Sequence, residues 1–81
     1  MVTVLRDSGF RIVIYSNDHD PAHVHVVKGK SKGSGHAKFN IASGVELVEA
    51  VNLNASEIRK AGRIVRDNQQ LLLEKWNEIH G

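Results

Sequence analysis

The residues of this chain best suited to chemistry lie in one stretch, Ser16-Asn17-Asp18-His19-Asp20-Pro21-Ala22-His23-Val24-His25-Val26-Val27. It holds three of the five histidines and the single proline, with Asp18 and Asp20 flanking His19. An imidazole titrates near neutral pH and serves as base or acid, so His23 and His25 form a candidate catalytic pair. Two such groups beside cations suit metal-independent cleavage of RNA, with Lys38 and Arg63 on the phosphate. The same side chains are metal ligands: His23 and His25 could share a divalent ion with Asp18 and His19, and Asp20 offers a further carboxylate. No H-E-x-x-H spacing is present, and His-x-His demands no cofactor, so none is expected from the pattern itself. The segment could instead be a rigid turn. Asp18 would then cap the loop backbone, and the imidazoles would bond to neighbouring carbonyls and shape a surface for a partner.

The elements around this stretch set where its side chains point. His23 to Lys28 reads as a strand, with Val24 and Val26 on one face and His23, His25 and Val27 on the other. Before it, Val2 to Arg6 and Phe10 to Ser16 read as strands about an Asp7-Ser8-Gly9 turn, and Asn17 to Ala22 is a loop. After it comes a basic, glycine-rich hairpin loop over 28–35, then a strand from His36 to Ile41. Ala37, Phe39 and Ile41 should face the core, leaving His36, Lys38 and Asn40 beside His23 and His25 on an open face. The segment from Val45 to Val51 fits a short strand or a helix start, and strand is preferred. Asn54 is a good N-cap, and Glu57 completes a capping box. Ile58, Ala61, Val65, Leu72, Trp76 and Ile79 recur at helical spacing, widened by Ile64 and Leu71, which predicts a helix over 54–80 with Gly62 and Asn68 as weak points. The expected fold is α+β: a four- to five-stranded, mostly antiparallel sheet over 1–51, with one long C-terminal helix packed on one face, all in a single domain over 1–81.

Composition bounds the function classes. The chain is 41% hydrophobic and 25% charged, which argues for a folded domain rather than a disordered one. It has no cysteine, so disulfides and thiolate metal sites are excluded and a cytoplasmic setting is expected. No stretch approaches a membrane span. The net charge is only +2, but eight of the eleven basic residues fall in two patches. Lys28, Lys30, Lys32 and Lys38 form one, and Arg59, Lys60, Arg63 and Arg66 the other. With His36, these are the candidate contacts to phosphate or to an acidic partner. Arg59, Lys60 and Arg63 stand in the first turns of the predicted helix, where the macrodipole prefers carboxylates, and Arg59, Arg63 and Arg66 share one face.

Taken together, Thr3-Val4-Leu5-Arg6, Gly9-Phe10-Arg11, Ser16 to Val26, Ala37-Lys38-Phe39, Ile64-Val65, Asn68-Gln69, Leu71-Leu72 and Trp76 match a pattern running nearly the whole length. The chain resembles a small bacterial family of unknown function with an S-N-D-H-x-P-x-H-V-H-V motif. Its hairpin over 28–35 is longer than is usual there. Pro-x-His-Val-His-Val is also similar to the histidine-triad nucleotide-binding motif, but the third histidine of that motif falls at Val27. The first resemblance implies pairing with a second small domain of unknown function in toxin–antitoxin-like loci, and it carries no catalytic residue with it. The expected function is a component of such a conflict system, engaging RNA through the histidine and lysine face. The alternatives are a protein-binding or inhibitor module acting on a nucleic-acid-handling partner through the Arg59 face, and a small metal-binding domain. A cognate small protein is the expected partner, RNA is another, and a homodimer is compatible with the sequence.

Overall fold

The computed structural model describes residues 2–29 and 32–81; Lys30, and the side chain of Lys32, lie outside what it describes. The strands are β1 (Val2–Asp7), β2 (Phe10–Ile14), β3 (His23–Lys28), β4 (His36–Asn40) and β5 (Glu46–Val51). They form one antiparallel meander in the order β1-β2-β3-β4-β5, so the histidine strand is central. The segment before Asn52 is therefore a strand, as preferred from sequence. Ser8 and Gly9 turn β1 into β2 with φ of 52° and 85°, the positive pair that a two-residue hairpin matched to strand twist requires. Gly35 enters β4 at φ 131°, and a Cβ there would stand 2.6 Å from the Asn52 carbonyl oxygen. Only glycine fits that approach.

Alternation sorts the sheet into two faces. Phe10, Ile12, Ile14, Val24, Val26, Ala37, Phe39 and Ile41 are buried in one core with Ala61, Ile64, Val65, Leu72 and Trp76 of the helical segment. The opposite face is written in the strand register. One cross-strand row runs Arg6, Arg11, Val27, His36, Val51, and the next runs Thr3, Val13, His25, Lys38, Glu49. This face is less open than expected from sequence. Val13, Val27 and His23 are 0%, 2% and 5% exposed. His23 is closed over because the ring of Trp76 reaches it, at 5.1 Å between centroids.

The helical segment is present and divides at Asn68 into α1 (Ala55–Asp67) and α2 (Gln69–His80). The capping box forms, with Asn54 Oδ1 accepting from Glu57 N at 2.8 Å and Glu57 Oε1 accepting from Asn54 N at 2.9 Å. Asn68 leaves the helical region at φ −119°, ψ 15°, and its Nδ2 donates to the Ile64 carbonyl at 2.8 Å, satisfying an acceptor that the break releases. Gln69 Nε2 donates to the Ile41 carbonyl at 2.9 Å and ties the start of α2 to the sheet. Leu72 and Trp76 of α2 are buried as the periodicity requires, whereas Leu71, expected to widen the apolar stripe, is 38% exposed. No helix among the described residues is long and apolar enough to cross a membrane.

Candidate metal centre

The loop between β2 and β3 folds back so that Asp18 meets the first turn of the histidine strand. Its backbone does this locally: Asp18 N donates to the Tyr15 carbonyl at 3.1 Å, and Tyr15 N donates back to Asp18 Oδ2 at 3.2 Å. That oxygen is thereby fixed, and both strand histidines converge on it. His23 Nε2 lies 3.2 Å away and His25 Nε2 3.4 Å away. The side chains of Asp18, His23 and His25 are 17%, 6% and 13% exposed, so the cluster is largely withdrawn from water. Aromatic rings wall it in. Tyr15 stands edge-on to His25 at 4.8 Å, His23 is edge-on to His25 at 5.2 Å, Trp76 tilts against His23, and His80 stacks on Trp76 at 3.8 Å.

The opposite nitrogen of His23 decides what the cluster can hold. Nδ1 lies 2.9 Å from the Pro21 carbonyl oxygen, which can only accept, so Nδ1 carries the proton and donates. In the neutral ring Nε2 is then a lone pair aimed at a carboxylate oxygen. Two acceptors at that distance need a positive charge between them, supplied by a proton or by a metal ion. A ligating histidine characteristically donates its other N–H to a backbone carbonyl, which fixes the tautomer and the ring plane. The donor set is two imidazoles and one carboxylate, and the three ligand atoms lie within 4.8 Å of one another. With metal–ligand bonds near 2.0–2.1 Å, a tetrahedral site has edges of about 3.3 Å; the two contacts to Oδ2, at 3.2 and 3.4 Å, are of that length. Asp18, His23 and His25 could therefore hold a metal ion.

The other expected site residues are placed elsewhere. His19 and Asp20 are exposed and stand outside this cluster. Lys38 is the cross-strand neighbour of His25 on one side and Glu49 on the other. His36 Nε2 faces Glu49 Oε1 at 3.7 Å. Lys28 is drawn to the other layer, where its Nζ meets Glu57 Oε2 at 2.5 Å. That ammonium, with the Asn54 backbone N–H, holds the Glu57 carboxyl below its usual range. Arg59, Arg63 and Arg66 come together on α1 with Lys60. Tyr15, Trp76 and His80 had been given no role at the site. The nearest signal for the last two was their spacing of four on a helix, which puts them on one face but says nothing of which strand they meet.

A family model described as a domain of unknown function, DUF4160, matches residues 9–77. The chain belongs to that family. The matched span contains Asp18, His23, His25 and Trp76, and so the whole candidate centre. No curated protein and no solved structure matches the chain.

Proposed function

We propose that this chain is a small divalent-metal-binding domain whose ligands are Asp18, His23 and His25. The observation that carries this is the His23 ring: Nδ1 is committed to the Pro21 carbonyl, so Nε2 turns a lone pair toward Asp18 Oδ2 at 3.2 Å. One divalent ion satisfies that lone pair, the carboxylate and His25 Nε2 together. Two histidines and a carboxylate are the donor set of hydrolytic zinc sites and of non-haem iron sites that keep positions open. A bound ion would supply Lewis acidity there, and the aromatic wall would keep the local dielectric low. The setting we propose is the toxin–antitoxin-like pairing implied by the motif resemblance, with a cognate small protein as partner. Metal-independent RNA cleavage by His23 and His25 has less support. The His23 side chain is 6% exposed, and each of its nitrogens already faces an oxygen of the protein.

Elemental analysis of the tag-free chain purified without chelator is the test. Equimolar zinc, iron or manganese is expected, retained in His19→Ala and reduced at least tenfold in Asp18→Asn. A chain that carries no metal and takes up none on addition would overturn the proposal.

A further inference from the structure

A second feature of the molecule is independent of the metal centre. Along the outer side of α1, Ser56, Arg59, Lys60, Arg63 and Arg66 line an open groove of about 430 Å³. Every lining residue is a cation or a hydroxyl. The three arginines are exposed, and no carboxylate among the described residues lies within ion-pair distance of any of the four cations. Local energetics do not favour this arrangement. Arg59 and Arg63 are like charges four apart, and Lys60 with Arg63 and Arg63 with Arg66 are like charges three apart, all of which repel on a helix. Glu57, three residues before Lys60, makes its ion pair with Lys28 and interacts with the Lys60 charge only at longer range. A concave surface that concentrates unpaired guanidinium groups against the preference of its own helix suits a polyanion.

We infer that this groove binds the phosphodiester backbone of single-stranded nucleic acid. Guanidinium forks match phosphate oxygens two at a time, and three of the four cations are arginine. Arg59 to Arg66 spans about 10 Å at 1.5 Å per residue, a length that addresses consecutive phosphates rather than a single anion. An acidic protein fits less well. Protein interfaces have an apolar centre with aromatic anchors, and the groove lining contains neither. Since no aromatic ring lines the groove for bases to stack on, binding should be indifferent to sequence and strongly dependent on salt.

The test is fluorescence anisotropy of the full chain with a labelled oligouridine and, separately, a labelled oligocytidine. Three or four phosphate contacts predict a slope of log affinity against log salt of roughly −2 to −3, equal for both probes. Arg59→Glu/Arg63→Glu should weaken binding at least tenfold, as expected when phosphate contacts become repulsive. Lys75→Glu, a charge reversal on α2 away from the groove lining, should leave it within about twofold of the parent. Both variants alter groups outside the main core, and their circular dichroism spectra and melting temperatures are compared with the parent. Absence of oligonucleotide binding at low salt would overturn the inference, as would binding that survives the double charge reversal. Preferential capture of an oligoglutamate peptide over the oligonucleotides would also overturn it and assign the groove to an acidic protein.

Discussion

The proton on His23 decides what Asp18 faces. A carbonyl oxygen cannot donate, so the 2.9 Å contact from Nδ1 to Pro21 leaves Nε2 without a hydrogen in the neutral ring. Nitrogen-15 correlation spectra of the metal-free chain above the imidazole titration range should find His23 as the Nδ1–H tautomer. The Nε2–H tautomer would mean a plain hydrogen bond to Asp18 and no need for a cation there. At this scale the sequence was informative about residue type and mute about orientation. Alternation placed His23 and His25 on the same side of β3, and Asp18 was named with them as a ligand. His19 was named too, but the loop leaves it exposed. Which acid or histidine of a loop folds inward depends on its backbone, here the reciprocal bonds between Tyr15 and Asp18. Periodicity does not extend into such a turn.

Among the elements, α1 shows how a local signal becomes a tertiary restraint. Asn54 and Glu57 were legible as a capping box because three-residue spacing is a property of the chain itself. The third partner, Lys28, comes from β3 and was read from sequence as a phosphate contact. It holds the Glu57 carboxylate together with the helix N-terminus, and both lower the carboxyl's folded-state value below the ordinary 4.5. A group depressed on folding stabilises the protein fully above its unfolded value, and the gain is lost as pH falls through the folded one. Unfolding midpoints in urea should therefore decline below about pH 5. Glu57→Gln keeps a side chain able to close the box but removes the charge, so its decline should be shallower. Equal slopes in parent and variant would show that the Lys28–Glu57 contact contributes nothing to folding. The division at Asn68 was only half legible. Asparagine is a poor interior residue, and the site was marked as weak, but the compensating bonds to Ile64 and from Gln69 to Ile41 depend on the sheet being there. Beyond the break the 3.6-residue period still finds the buried face, since Leu72 and Trp76 are in the core, while Leu71, placed at the margin of the stripe, is exposed.

For the molecule as a whole, two periodicities fixed the architecture: a period of two over residues 2–51 and of 3.6 after Asn54. They assigned the buried face, with Val24, Val26 and Phe39 meeting the helical segment. They could not show that the far end of α2 would bring Trp76, with His80 stacked on it, over His23, since the Trp76–His23 contact joins residues far apart in the chain. The expected open platform is thus a partly roofed cluster, better suited to holding an ion than to presenting free imidazoles. In a chain this small the core is marginal, and an ion bound only by the folded state adds to stability by mass action. The most direct measurement is a titration of the metal-stripped, tag-free chain with cobalt(II), followed by visible absorption and by melting temperature. The account predicts an intense band of low-coordinate cobalt that saturates at equimolar ion, a parallel rise in melting temperature, and loss of both in His25→Ala. A spectrum that stays that of hydrated cobalt, with the melting temperature unmoved, would contradict it.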